Sequence, residues 1–224
     1  MWKRQIDGRV LTFRLAGINN QNFLMRDEET GSFWQQISGQ AISGPLRGKQ
    51  LELVHSDELS FGLWRKENPG GTLLQGVAEF ESQYAKKDWE SKMQKTRTVL
   101  DTSKTGIAPR ELMLGMVVEG QARAYPMKRL EEAKLIVDRL GQVGVLLVLG
   151  PDGKSVRAFA SGTGEFYRDA TGEMMDAETG SRWDFRGCAV AGSAVGKCLR
   201  PLTVLKDYWF DWQQYHPETT VFRR

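Results

Sequence analysis

Cys188 and Cys198 are the only cysteines in the chain, and they lie in a glycine-rich stretch, separated by Ala189 to Lys197. Two chemistries fit them: a disulfide, which needs Cα atoms within about 7 Å, or a pair of buried free thiols. A zinc site is disfavoured, because the spacing is wrong and no companion cluster of ligands stands nearby. His55 and His216 are the only histidines. His216 immediately precedes Pro217, where an imidazole caps carbonyls or covers an aromatic neighbour. A serine-hydrolase assembly could be drawn from His216, Ser181 and Asp176, but no nucleophile elbow or oxyanion loop accompanies it. Asp27 and Asp176 each head an Asp-x-x-Thr-Gly-Ser stretch. They could act as paired carboxylates for acid–base work; the plainer job is to accept backbone N–H groups and fix a turn. Arg123 and Arg157 are flanked by alanines on predicted strands, and an inward-facing strand arginine must find an anion or an acidic partner.

The elements that must position these groups occur twice. Residues 27–34 match 176–183 at an offset of 149, and after a one-residue gap Gly39, Ala41, Gly44, Gly48, Lys49 and Leu51 match Gly187, Ala189, Gly192, Gly196, Lys197 and Leu199. The match continues through Phe61, Trp64 and Pro69 against Trp209, Trp212 and Pro217. Self-similarity at a fixed offset points to two copies of one supersecondary unit. The partners of Cys188 and Cys198 in the first copy are Gln40 and Gln50. Joint replacement of both positions predicts that they are neighbours across a tight turn.

Each copy reads as short strands joined by sharp turns and closed by a helix. In the first, strands are predicted over 9–17, 22–26, from Trp34, and over 51–54, with a helix over 57–67 capped by Ser56 and stopped by Pro69. In the second, strands at 156–159 and 165–167 lead to the Asp176 turn and a helix over 207–215. Phe61 and Trp64, and Trp209, Trp212 and Tyr215, are expected to face the sheets as packing rather than as a carbohydrate or cofactor platform. Between the copies, 80–104 is polar and reads as helical or mobile. Residues 111–118, 121–125 and 143–149 follow as strands, with a short helix near 127–133. Val143 to Leu149 is nearly continuous in apolar residues, the pattern of a central strand covered on both faces.

The fold class expected is therefore mostly β (β-rich α+β), an internally duplicated β unit with one helix per copy packed on the sheets. The boundaries are 1–77 for the first copy, 78–110 for a polar connector and 111–224 for the second copy with extra strands, together one compact duplicated unit. The 224 residues carry a net charge of +3, with 40% hydrophobic and 26% charged residues. Basic and acidic residues are interspersed, so the concentrated Lys/Arg stripe that nucleic acid requires is missing. No apolar run approaches the roughly 20 residues of a membrane span. Met1 to Gly8 lacks the apolar core of an export signal, although a signal already removed would leave the same trace.

The run Asp27-x-x-Thr-Gly-Ser-x-Trp34, followed by Gly39-x-Ala-x-x-Gly-Pro-Leu-x-Gly-x-x-Leu51, resembles the prokaryotic family known as domain of unknown function 3179. Leu114-Gly-Met-x-x-x-Gly-x-Ala-Arg-Ala-Tyr-Pro126 and Trp212-x-x-x-His-Pro217 look like the same family, so the resemblance spans nearly the whole chain. It implies no established activity. It does imply a Cys-x-x-Cys pair ahead of the Asp-Gly-x-x-Leu-Thr-Phe stretch, whereas Met1 to Ile6 contain no cysteine. Asn68-Pro69 stands where the second copy has His216-Pro217, so a histidine-dependent role would survive in one copy only.

The functional expectation is an extracytoplasmic (periplasmic or extracellular) binding or scaffold domain. Its ligand, an unidentified small molecule or protein, would lie in a groove between the copies. The alternative is an enzyme or a cofactor- or metal-binding protein using Asp27, Asp176, Arg123 and Arg157 in that groove. The residues name no cofactor and no metal ligand set. The binding candidates are Asp27, Arg123, Arg157, Asp176 and His216, and the candidate disulfide is Cys188 to Cys198.

Overall fold

The computed structural model describes residues 1–19, 22–98 and 105–223. Positions 99–104 of the predicted connector, and residues 20 and 21 between the predicted strands over 9–17 and 22–26, lie outside the described residues. The chain is β-rich, with five small sheets among the described residues. It divides into a smaller unit, Met1–Ser56 with Asp211–Thr219, and a larger one, Asp57–Phe210 with Thr220–Arg224.

In the smaller unit, β1 (Gln5–Ile6) and β2 (Arg9–Val10) form a hairpin. β3 (Phe13–Asn19), β4 (Asn22–Asp27), β5 (Phe33–Gln35) and β6 (Ala41–Ser43) form an antiparallel sheet in sequential order. The predicted strand over 9–17 is thus divided, because Leu11 turns into the core and is fully buried. That core gathers Leu11, Trp34, Ala41 and Leu51, with Phe13 edge-on to Trp34 at 5.8 Å. Residues 51–54 were expected to be a strand; they make only an isolated bridge, Leu53 to Trp2, since no longer partner strand runs beside them.

The larger unit opens with α1 (Phe61–Glu67), a 3₁₀ helix (Ala78–Gln83) and α2 (Trp89–Lys95). It continues through β7 (Leu112–Val118), β8 (Gln121–Pro126), α3 (Met127–Ala133), β9 (Leu135–Leu140), β10 (Val143–Leu149) and β11 (Val156–Ala160). β12 (Phe166–Arg168), β13 (Met174–Asp176), β14 (Arg182–Trp183) and β15 (Ala189–Ala191) come next. β16 (Arg200–Leu202) and β17 (Leu205–Tyr208) follow; α4 (Trp209–Tyr215) starts in this unit and passes at Asp211 into the smaller one, and β18 (Thr220–Val221) belongs again to the larger. The sheets run β16-β11-β10-β9, β17-β7-β8-β18 and β12-β13-β14-β15.

β10 is central, as its unbroken apolar run predicts. Val145, Leu147 and Leu149 join the core built with β7, β8 and α3, while Leu146 and Val148 join Phe159, Phe166, Met174 and Trp183 on the other face. Alternation of side chains along one strand therefore feeds two cores. β9 escaped the sequence reading, because Leu135 to Leu140 interleaves Asp138 and Arg139 with its apolar residues.

Both helices begin later than the sequence predicts. α1 starts at Phe61 with Ser60, not Ser56, as its cap: Ser60 Oγ accepts from Leu63 N at 3.3 Å. Residues before it are held extended, since Glu58 bridges Val156 and Ser60 N donates to Ser155 Oγ. Leu63, rather than Phe61, is the buried residue of α1; Phe61 is 53% exposed. α4 starts at Trp209 because Leu205 to Tyr208 pair with β7 instead of coiling. Trp209 and Trp212 are buried as expected, and so are Phe210 and Asp211 between them.

Candidate functional site

Each residue singled out by its chemistry has a local structural partner. Asp27, at the end of β4, is 1% exposed and accepts from Thr30 N at 2.5 Å and from the Trp34 indole at 2.7 Å. Asp176, at the end of β13, accepts from Thr179 N at 2.6 Å and from the Trp183 indole at 2.8 Å. Burial alone would raise both carboxyls; the tryptophan, threonine and backbone donors outweigh it and hold both below the ordinary aspartate value. These are carboxylates kept ionised to lock a turn onto a core tryptophan. Ser181 is fully buried, and its Oγ takes hydrogen bonds from Thr179 Oγ1 and Ala194 N. His216 stacks on Trp212 at 4.0 Å between centroids, and burial lowers its pKa.

Arg123 on β8 pairs with Asp138 at 2.6 Å and also donates to Arg139 O and Thr220 Oγ1. Tyr125 donates to the same Asp138; burial first, then that carboxylate, pushes the phenol up. Arg157 on β11 meets Asp57 through Nε at 2.7 Å and grips Glu67 with both Nη atoms at 2.9 and 2.8 Å. The Phe185 ring lies 4.8 Å from its guanidinium carbon. A bidentate, carboxylate-paired guanidinium is a strong clamp, here tying the C-terminal end of α1 to β11. Cys188 and Cys198 form a disulfide across an isolated antiparallel bridge, with Cα atoms 4.0 Å apart.

Two of the clefts in the larger unit adjoin these residues. One, of about 640 Å³, lies beside α1 and is lined by Leu59, Phe61, Trp64, Leu73 and Arg186 over the closed Arg157 ion-pair cluster. The other, of about 610 Å³, opens between the end of α3, the β10–β11 turn and the β12–β15 sheet. Met174, Trp183 and Phe185 supply its apolar wall; Lys134 and Arg168 supply its cations. Arg168 differs from Arg123 and Arg157. Among the described residues it donates only to two backbone carbonyls, Gly172 O at 2.8 Å and Leu149 O at 3.4 Å, and its buried Nε finds no acceptor there.

Sequence reasoning passed over Arg168, which ends a short strand ahead of a polar turn and has the local pattern of an ordinary surface residue. It also passed over Asp211, buried on α4 with Asn22 Nδ2 donating to one oxygen at 2.8 Å and no partner for the other among the described residues. Burial raises that carboxyl. No group of three or more His, Cys, Asp or Glu side chains able to hold a metal is present among the described residues. Among them, too, no helix is long and apolar enough to cross a membrane.

A search of curated proteins and a search of solved structures each returned no match. A family model described as "Protein of unknown function (DUF3179)" matches residues 1–219. The Asp-Thr-Gly-Ser-Trp turns, the β7–β8 segment and the α4 ending thus sit within one match spanning nearly the whole chain, which belongs to the DUF3179 family.

Proposed function

We propose that this chain is a non-catalytic binding domain whose small-molecule ligand sits in the cleft beside β12. The observation that carries this reading is the contrast among the strand arginines: Arg123 and Arg157 are paired with carboxylates, and Arg168, which lines a cleft with an apolar wall, is not. A mostly apolar recess with a few polar groups has the form of a ligand site. The sequence reading put the groove between two copies; the cleft that supports binding lies within the larger unit. The enzymatic alternative rested on Asp27, Asp176, Arg123 and Arg157, all of which already hold turns or ion pairs.

Two further parts of the reading belong to the same proposal. An extracytoplasmic home is supported by the Cys188–Cys198 bridge, because disulfides persist in oxidising compartments. Descent of the two Asp-Thr-Gly-Ser-Trp sheets from one duplicated unit is supported by their common strand order.

Native mass spectrometry of the chain purified from its own cells tests the binding reading. The expected result is a stoichiometric small-molecule adduct that disappears in Thr171→Trp, which fills the mouth of the cleft. An adduct that survives in this variant, or ligand-free protein together with no hit in a thermal-shift screen of small molecules, would overturn it.

A further inference from the structure

The geometry points to a small ligand with an apolar, ring-sized body and one oxyanion group, carboxylate or phosphate, bound by Arg168 and Lys134. This rests on the binding reading above and names the chemistry of its ligand.

The argument starts from donor accounting. A guanidinium carries five N–H donors, and Arg168 places two of them on protein carbonyls, one at the long distance of 3.4 Å. No carboxylate pairs with it among the described residues. Two carboxylates do line the same cleft, and both are turned to other work: Asp184 Oδ1 accepts from Arg186 N and Cys188 N at 2.9 Å, and Glu173 stands 3.9 Å from Arg182. Lys134 is exposed, occupies a left-handed conformation at φ 64° as the C-cap of α3, and adds a second cation to the rim. Lys134 and Arg168 share this lining with Asp184 and Glu173, so the preference for an anion rests on Arg168, which no carboxylate pairs among the described residues, and its planar fork favours an anion with two acceptor oxygens.

The rest of the wall sets the body of the ligand. Met174 and Trp183, 2% and 7% exposed, back this side from the core, and the half-buried Phe185 presents ring surface rather than hydrogen-bonding groups. The wall is also rigidly held. The Trp183 indole is fixed by Asp176, and the turn carrying Phe185 is fixed by Asp184 and by the Cys188–Cys198 disulfide. Preorganisation of this kind lowers the ordering cost of binding.

Isothermal titration of the full chain with benzoate, phenyl phosphate and benzyl alcohol tests the proposal. Benzoate or phenyl phosphate should bind, the stronger of the two identifying the oxyanion preferred, and benzyl alcohol should bind about tenfold more weakly. Arg168→Gln should weaken the anions about tenfold and Lys134→Gln about threefold, with benzyl alcohol little changed. Should Arg168→Gln not fold, the exposed Lys134→Gln variant and the loss of anion affinity with added salt carry the same test. Equal affinity for benzyl alcohol and the anions would overturn the ligand class while leaving a binding cleft in place. Binding of no probe, or anion binding unaltered in Lys134→Gln and insensitive to salt, would overturn the proposal; a native adduct lost in Thr171→Trp would still uphold the binding reading itself.

Discussion

The β3–β6 sheet and the β12–β15 sheet solve one packing problem with the same parts and diverge at two ladder positions. In each, an aspartate ends the second strand, takes the indole N–H of a core tryptophan, and is crowned by a threonine and a serine. In each, a phenylalanine from the first strand meets that tryptophan edge-on, at 5.8 Å for Phe13–Trp34 and 5.5 Å for Phe166–Trp183. The serine hydroxyls accept from Leu46 N and Ala194 N, both at 3.0 Å. Gly44 and Gly192, at φ 93° and 92°, lie so close to Ser32 and Ser181 that a Cβ would fall within 2.6 and 2.7 Å of their Cα atoms. Only glycine satisfies both the left-handed backbone and that approach.

The divergences are instructive. Gln40 and Gln50 face each other across an isolated bridge in the first sheet, where the second has the disulfide. Gln50 substitutes side-chain hydrogen bonds to Ser38 O and Leu51 O for a covalent link. Register also equates Arg168, opposite Met174, with Leu15, opposite Met25. The sheet that carries the unpaired guanidinium is the one with the covalent staple, whereas its counterpart shows water an ordinary leucine, 69% exposed.

If the tryptophan network is the common foundation, Trp34→Ala and Trp183→Ala should each cost about 3–5 kcal/mol in chemical denaturation. A loss at one site and none at the other would break the equivalence. The staple comes next. Replacing Cys188 and Cys198 together by glutamine should cost about 2–3 kcal/mol, from the lost constraint on the unfolded chain, and Gln40→Cys with Gln50→Cys should add a comparable amount to the first sheet. Thiol titration of the unfolded, unreduced protein checks that the new bridge has formed.

Asp27→Asn and Asp176→Asn should each cost about 1–3 kcal/mol, because the tryptophan and threonine donors lose a charged acceptor. The pH dependence follows from the depressed folded pKa values. Between the folded and unfolded values the unfolded chain binds more protons, so this stability is complete above the ordinary aspartate value of about 4 and is lost as pH falls through the lower folded values. Denaturation midpoints measured from neutral to acid pH should fall below about pH 4, and the double asparagine variant should flatten that fall. The smallest effect expected is for Leu15→Arg, which copies the Arg168 position onto an exposed site and should shift stability by less than about 0.5 kcal/mol. A larger loss would show that the two positions are not interchangeable frames for a guanidinium.

The sequence repeat made Asp27, Asp176 and their tryptophans legible, since the contacts that hold them span a few residues of one turn. It also brought Gln40 against Gln50 and Cys188 against Cys198 as neighbours. The equivalence of Leu15 and Arg168 stayed hidden for a physical reason. Phe13 pairs with Asp27 and Phe166 with Asp176, so the second hairpin is the shorter one and the fixed offset fails on its far side.

Local chemistry written in the order of residues therefore determined the turns, the central β10 strand, the β-rich class and the family. The tertiary structure alone decided which charges are engaged. Arg157 finds Glu67 and Asp57 only because β11 runs beside α1, 90 and 100 residues away in sequence, while Arg168 meets carbonyls and, among the described residues, no carboxylate. A guanidinium on a strand looks the same in sequence whether it will clamp a helix or line a cleft. The difference is made by long-range packing, which fixes its partners and leaves no trace in its immediate neighbours.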